Sequence, residues 1–99
     1  MKNRDLDELQ KYADLFKAMA HPKRLNILLT VLHKAPCVSA LQQKLELPQS
    51  NISQHLSMLR QLKIVRGERK GSKMCYTIDS SFVEKMLTLI NEDNNIKEK

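Results

Sequence analysis

Residues Gln49, Ser50, Asn51, Ser53, Gln54, Ser57 and Gln61 place seven uncharged polar side chains within a stretch of thirteen residues that holds no acid. Amides and hydroxyls at this density suit the reading of base edges. Gln and Asn bond adenine in bidentate fashion, and Ser reaches bases or phosphates. An ordinary solvated helix face carries Lys and Glu instead. Each residue taken alone reads as a cap or plain surface, but the set reads as a face that contacts DNA. His55 lies at the flank of the apolar side of the same stretch and suits a phosphate contact and a shield for the core edge equally.

The residues that follow supply charge. From Arg60 to Lys73 there are six basic residues against one acid, Glu68. That is the electrostatic footprint of a nucleic-acid partner rather than of a mixed solvated face. Arg69, Lys70 and Lys73 gather around Gly71, where they suit phosphates or a minor groove. Arg60 and Lys63 also favour the negative end of a helix closing near Leu62. With two Tyr, two Phe and no Trp, base stacking on single strands has little to work with, so the duplex is the expected partner.

Other chemistries find no support. His21, His33 and His55 stand in three separate contexts and form no metal-ligand pattern. There is no nucleophile motif, Gly-rich phosphate loop or central carboxylate pair, so neither an enzyme nor a cofactor, metal or small-molecule substrate is expected. The 99 residues allow one domain, 1–99, with a core small enough that a partner subunit would help. A 41% hydrophobic and 28% charged composition is globular, and the formal charge is +6. No apolar run reaches the roughly 20 residues of a membrane span. The opening Met1-Lys2-Asn3-Arg4-Asp5 is unlike a secretory signal, and two cysteines make no disulfide framework. A cytoplasmic, reduced protein without membrane contact is expected.

The elements that must position these residues follow from periodicity and punctuation. Leu6, Leu9, Ala13 and Phe16, with Tyr12, Leu15 and Met19 beside them, predict a first helix within 1–20, capped by Asp5 with Glu8. A second runs from about Pro22 to Lys34, and Pro36 follows its end. Ser39 and Gln42 predict a capping box for a short third helix, which a corner at Glu46-Leu47-Pro48 joins to a fourth over about Gln49–Leu62. In the fourth, Ile52, Leu56 and Leu59 define the buried face. Residues 39–62 thus read as helix-turn-helix. The period then changes, and 64–79 reads as a basic two-stranded hairpin turning at Lys70-Gly71-Ser72. Asp79 or Ser80 caps a last helix over 80–93, with Ser81 and Glu84 as a candidate capping box, and 94–99 is a polar tail expected to fray.

The architecture is therefore mainly α with a small β-hairpin (α+β): five helices and a two-stranded wing in winged helix-turn-helix order. The first and last helices carry more apolar surface than a domain this size needs. Leu6, Leu9, Tyr12, Phe16, Val83, Met86, Leu87 and Ile90 are the expected contacts of a homodimer. Cys37 precedes the third helix and Cys75 lies on the return strand of the wing, so the two can be neighbours. They read either as small buried hydrophobes or as a thiol switch that shifts the wing. An adaptor that uses the same fold to bind protein is a further alternative.

Phe16-Lys17-Ala18-Met19-Ala20-His21-Pro22-Lys23-Arg24-Leu25 and Leu47-Pro48-Gln49-Ser50-Asn51-Ile52-Ser53-Gln54-His55-Leu56 closely resemble the ArsR/SmtB family of bacterial repressors, over nearly the whole chain. The resemblance implies a homodimer built on the first and last helices, with recognition helices in successive major grooves of an imperfect palindrome. It also implies repression by promoter occlusion and release by an inducer. Soft-metal sensors of the family carry Cys-Val-Cys-Asp where this chain has Cys37-Val38-Ser39-Ala40. Zinc sensors need Asp and His pairs in the last helix, which here holds Glu84, Glu92 and Asp93 but no His. The chain is thus more similar to the metal-independent, PagR- and HlyU-like branch. Glu46 stands where many relatives have Gly, at a cost on the order of 1 kcal/mol if φ is positive there.

Overall fold

The computed structural model describes residues 5–34 and 36–94. Asp5 opens the first helix as expected, its carboxylate accepting the Asp7 N–H at 2.9 Å. Asp7 and Glu8 occupy the positive first turn of α1 (Leu6–Met19). The helix α2 (Pro22–Lys34) starts at a proline, which has no N–H to leave unsatisfied. His21 Nδ1 accepts the Lys23 N–H at 3.2 Å and so caps that start. α3 (Val38–Leu45) and α4 (Gln49–Gln61) form the helix-turn-helix, β1 (Val65–Lys70) and β2 (Lys73–Ile78) the wing, and α5 (Ser81–Asn94) closes the chain.

Two expected capping boxes do not form, although Ser80, one of the two residues expected to cap the last helix, does cap it. The Ser39–Gln42 capping box does not form. Pro36 O accepts the Tyr76 N–H at 2.9 Å and Cys37 bridges to Cys75, which holds the chain extended up to Cys37. The helix then begins at once, one residue before Ser39, with Cys37 as an N-cap that makes no side-chain hydrogen bond. At α5 the cap is Ser80, whose Oγ accepts the Val83 N–H at 3.2 Å, and not a Ser81–Glu84 box. Asp79 instead pairs with Arg66 at 3.0 Å on the surface. Asn94, assigned to the fraying tail, is the last residue of α5, and its side chain bonds Ile90 O at 3.3 Å. Residues 95–99, the rest of that tail, lie outside the described residues, as do 1–4 of the first segment.

The core is set by α2, which packs against α1, α3, α5 and β2. Ile27, Leu28 and Val31 of α2 meet Leu41, Ile52, Leu56, Leu59, Ile64, Val65, Val83 and Leu87, all at 2% exposure or less. Every one of these buried helix positions falls on an i, i+3 or i+4 stripe of its own element. The wing strands pair antiparallel from Val65 with Ile78 to Lys70 with Lys73. That register leaves a two-residue turn, and Gly71 takes φ 64°, the left-handed conformation such a turn requires. Gly67 answers to a different constraint. A Cβ there would stand 3.1 Å from the Tyr76 ring and 3.2 Å from Met74 Sδ, so the absence of a side chain lets Tyr76 cross the strand. Glu46 adopts φ 53° and ψ 41° at the C-cap of α3. The left-handed corner inferred from the missing glycine is present, and a non-glycine residue carries its strain.

Candidate nucleic-acid interface

Ile52, Leu56 and Leu59 are buried to 1% exposure or less and anchor α4 on the core, which fixes its opposite face outward. Ser50, Asn51, Ser53, Gln54, Ser57 and Gln61 are all exposed, as is Gln49 in the first turn. That first turn holds no acid. The amide and hydroxyl groups are thus presented together, with nothing to repel a phosphate backbone. The wing continues the surface: Arg66, Arg69, Lys70 and Lys73 are exposed on two strands joined at Gly71. Arg60 is exposed in the last turn of α4, where its charge also meets the negative helix end.

His55 occupies a different place from its neighbours in sequence. Arg24 Nε donates to His55 Nδ1 at 3.2 Å, and the His21 ring meets the His55 ring edge-on at 5.2 Å. Arg24 also reaches back to Ala18 O at 3.3 Å. His55 is half-buried, and of the two roles open to it the geometry favours the shield at the core edge, as a joint between α2 and α4. Burial, followed by the charges of Arg24, His21 and Lys23, lowers its pKa from the usual imidazole value. The pairing with Arg24 was not legible in the sequence, because the two residues lie 31 positions apart.

This arrangement matches known proteins. The pattern of bacterial regulatory proteins of the arsR family matches residues 21–66, from the start of α2 into the wing. The transcriptional repressor PagR of Bacillus anthracis is 42% identical over 84 residues, covering 84% of this chain and 84% of PagR. The transcriptional activator HlyU of Vibrio cholerae is 36% identical over 91 residues, covering 88% of this chain and 84% of HlyU. The structure of reduced HlyU from Vibrio cholerae N16961 superposes with a TM-score of 0.83 at 36% identity, over 87% of this chain and 90% of that one.

The chain belongs to the arsR family. It is a DNA-binding transcriptional regulator with the winged helix-turn-helix fold, similar to the PagR repressor and the HlyU activator. Among the described residues of this arsR-family protein, no three His, Cys, Asp or Glu side chains gather as a metal site. No helix among them is long and apolar enough to cross a membrane.

The apolar surface of this arsR-family chain divides in two. Leu6, Leu9, Tyr12 and Phe16 of α1 are large hydrophobic residues at 43–76% exposure. Phe82 packs edge-on against Tyr12 and Phe16 with centroids 5.1 and 5.8 Å apart, which joins α5 to that patch. Val83 and Leu87, expected at a subunit contact, are instead at 0% exposure inside the core and have no surface left for a partner. They lie four residues apart on the side of α5 that meets α2, so the core claims them first. Met86 and Ile90 are half-buried, and Leu89, absent from the expected set, stands at 61% exposure. Periodicity showed that α5 carries a broad apolar surface, but not which stripe its own domain would take.

The cysteines meet as their positions suggested, and they are bonded. Cys37, the N-cap of α3, forms a disulfide with Cys75 of β2, and their Cα atoms are 3.7 Å apart. The bridge fits the thiol-switch alternative for these two residues.

Proposed function

We propose that this regulator is a dimeric repressor that occludes a promoter by binding an imperfect palindromic operator. The observation that carries the reading is the acid-free, outward polar face of α4 beside a basic wing. Gln49, Ser50, Asn51, Ser53, Gln54 and Ser57 contact bases or the adjoining backbone, and Arg60, Arg69, Lys70 and Lys73 bind phosphates. His55 holds the recognition helix in place. Two copies join through Leu6, Leu9, Tyr12 and Phe16, with Met86, Ile90 and the exposed Leu89 beside them, which sets two recognition helices on one DNA face. Selection from a random duplex library is expected to return a palindrome with half-sites about 10 bp apart. Enrichment of unrelated sequences, or none, would overturn the reading and favour a protein-binding adaptor.

The Cys37–Cys75 bridge favours a second reading, that the repressor is thiol-responsive. The bridge ties β2 of the wing to the start of α3, so making or breaking it resets the wing against the recognition helix. Oxidised protein is expected to bind the selected operator more weakly than reduced protein. The Cys37→Ser/Cys75→Ser variant should lose that difference, and a variant that keeps it would sink this reading.

A further inference from the structure

The disulfide forms part of the wall of a cavity. A space of about 330 Å³ opens between the start of α3, the start of α4 and the wing, and Cys37, Val38, Ser39, Gln49, Arg69 and Lys73 are among the residues that line it. This volume lies at the lower end of small-molecule sites. Its electrostatics have one sign. Arg69 and Lys73 contribute full positive charges, and no acidic side chain lines the space. Val38 and Ser39 are the first two residues of α3, whose positive end has no side-chain cap. The bridge is also approached from one side. Cys37 is half-buried and lines the cavity, whereas Cys75 is only 5% exposed and does not.

We propose that this cavity admits small anionic thiols and their disulfides, and that these set the redox state of the Cys37–Cys75 pair. The proposal rests on the thiol-responsive reading and names its reagents. In the reducing direction a bound thiolate RS⁻ attacks the Cys37 sulfur. A bond forms between R–S and Cys37, the Cys37–Cys75 bond breaks, and Cys75 leaves with the electron pair and takes a proton from water. A second RS⁻ then attacks the R–S sulfur, releasing R–S–S–R and the Cys37 thiolate. The start of α3 and the two cations stabilise that thiolate. In the oxidising direction the Cys37 thiolate attacks R–S–S–R and expels RS⁻. The Cys75 thiolate then displaces the second RS⁻ to close the bridge. Each full cycle moves two electrons between one dithiol and one small disulfide.

The site has a second property. Arg69, Lys73 and Gln49 are also proposed DNA contacts, so a phosphate backbone and an anionic thiol compete for the same groups. DNA on the protein shields the bridge from its own reductant.

The test follows the rate at which oxidised full-length protein is reduced, read by thiol alkylation and mass spectrometry. The three reagents are glutathione (anionic), 2-mercaptoethanol (neutral) and cysteamine (cationic), matched in thiolate concentration. Glutathione should react fastest and cysteamine slowest, with about a tenfold spread that high salt compresses. Arg69→Gln/Lys73→Gln should collapse the order, while Lys85→Gln on α5 preserves it. Saturating duplex DNA should slow the glutathione reaction at least about fivefold. Rates independent of reagent charge, or an order that survives in the double variant, overturn the site. An unchanged rate on DNA overturns the competition. Failure of the underlying reading looks different: oxidised and reduced protein bind DNA equally while the charge order of the rates persists. Oxidation that yields no intramolecular bridge sinks both.

Discussion

Arg24 and His55 tie the start of α2 to the middle of α4 through a 3.2 Å hydrogen bond from Nε to Nδ1. The acceptor must be a neutral imidazole, because a protonated ring has no lone pair at Nδ1 to offer. The helix α4 is therefore held by a contact that a single proton removes, and burial, followed by the charges of Arg24, His21 and Lys23, opposes that proton.

The sign of the resulting pH dependence is fixed. His55 has a folded-state pKa below its unfolded value of about 6.5. Between those two values the unfolded chain binds more protons, so the stability His55 contributes is present above about pH 6.5 and is lost as pH falls through the folded pKa. Thermal midpoints of the wild type should drop from pH 7 towards acid more steeply than those of His55→Asn, which keeps an acceptor near Nδ1 but cannot protonate. Parallel profiles would show that His55 has no such role.

Gln54→Ala and Lys70→Ala should separate reading from holding. The first should cost about 1–3 kcal/mol at the selected operator and little on random duplex. The second should weaken both alike and lower the salt slope of log K by about one. Equal losses on both DNAs for Gln54→Ala would remove it from the reading face.

Glu46→Gly should stabilise the protein by about 1 kcal/mol, since φ 53° is strained for any residue with a Cβ. Urea unfolding at fixed protein concentration checks this as a higher midpoint with an unchanged slope. A lower midpoint would mean that the Glu46 side chain contributes more than the strain costs.

Phe16→Glu should dissociate the dimer and leave the fold intact, because Phe16 is 46% exposed in the single chain. Two copies of the lost apolar contact amount to about 3 kcal/mol, or a dimer Kd raised about a hundredfold. Sedimentation equilibrium with circular dichroism on the same samples reads both quantities. A variant that stays dimeric would move the interface away from α1.

Local chemistry determined the elements and the face of α4. The spacing of Ile52, Leu56 and Leu59 decides what α4 buries, and whatever lies opposite must point outward. The turn at Gly71 was legible for the same reason, since backbone sterics act within a few residues, whereas the left-handed corner at Glu46 was legible only through the glycine that many family members carry there. Tertiary structure decided the rest. Ser39 lost its expected cap because β2, more than thirty residues later, holds Pro36 and Cys37 extended. Val83 and Leu87 went to the core and Leu89 to the surface because α2 claims one stripe of α5. His55 turned to Arg24 through a contact between residues far apart in the chain. Periodicity reports how apolar a face is; only packing reports which neighbour covers it.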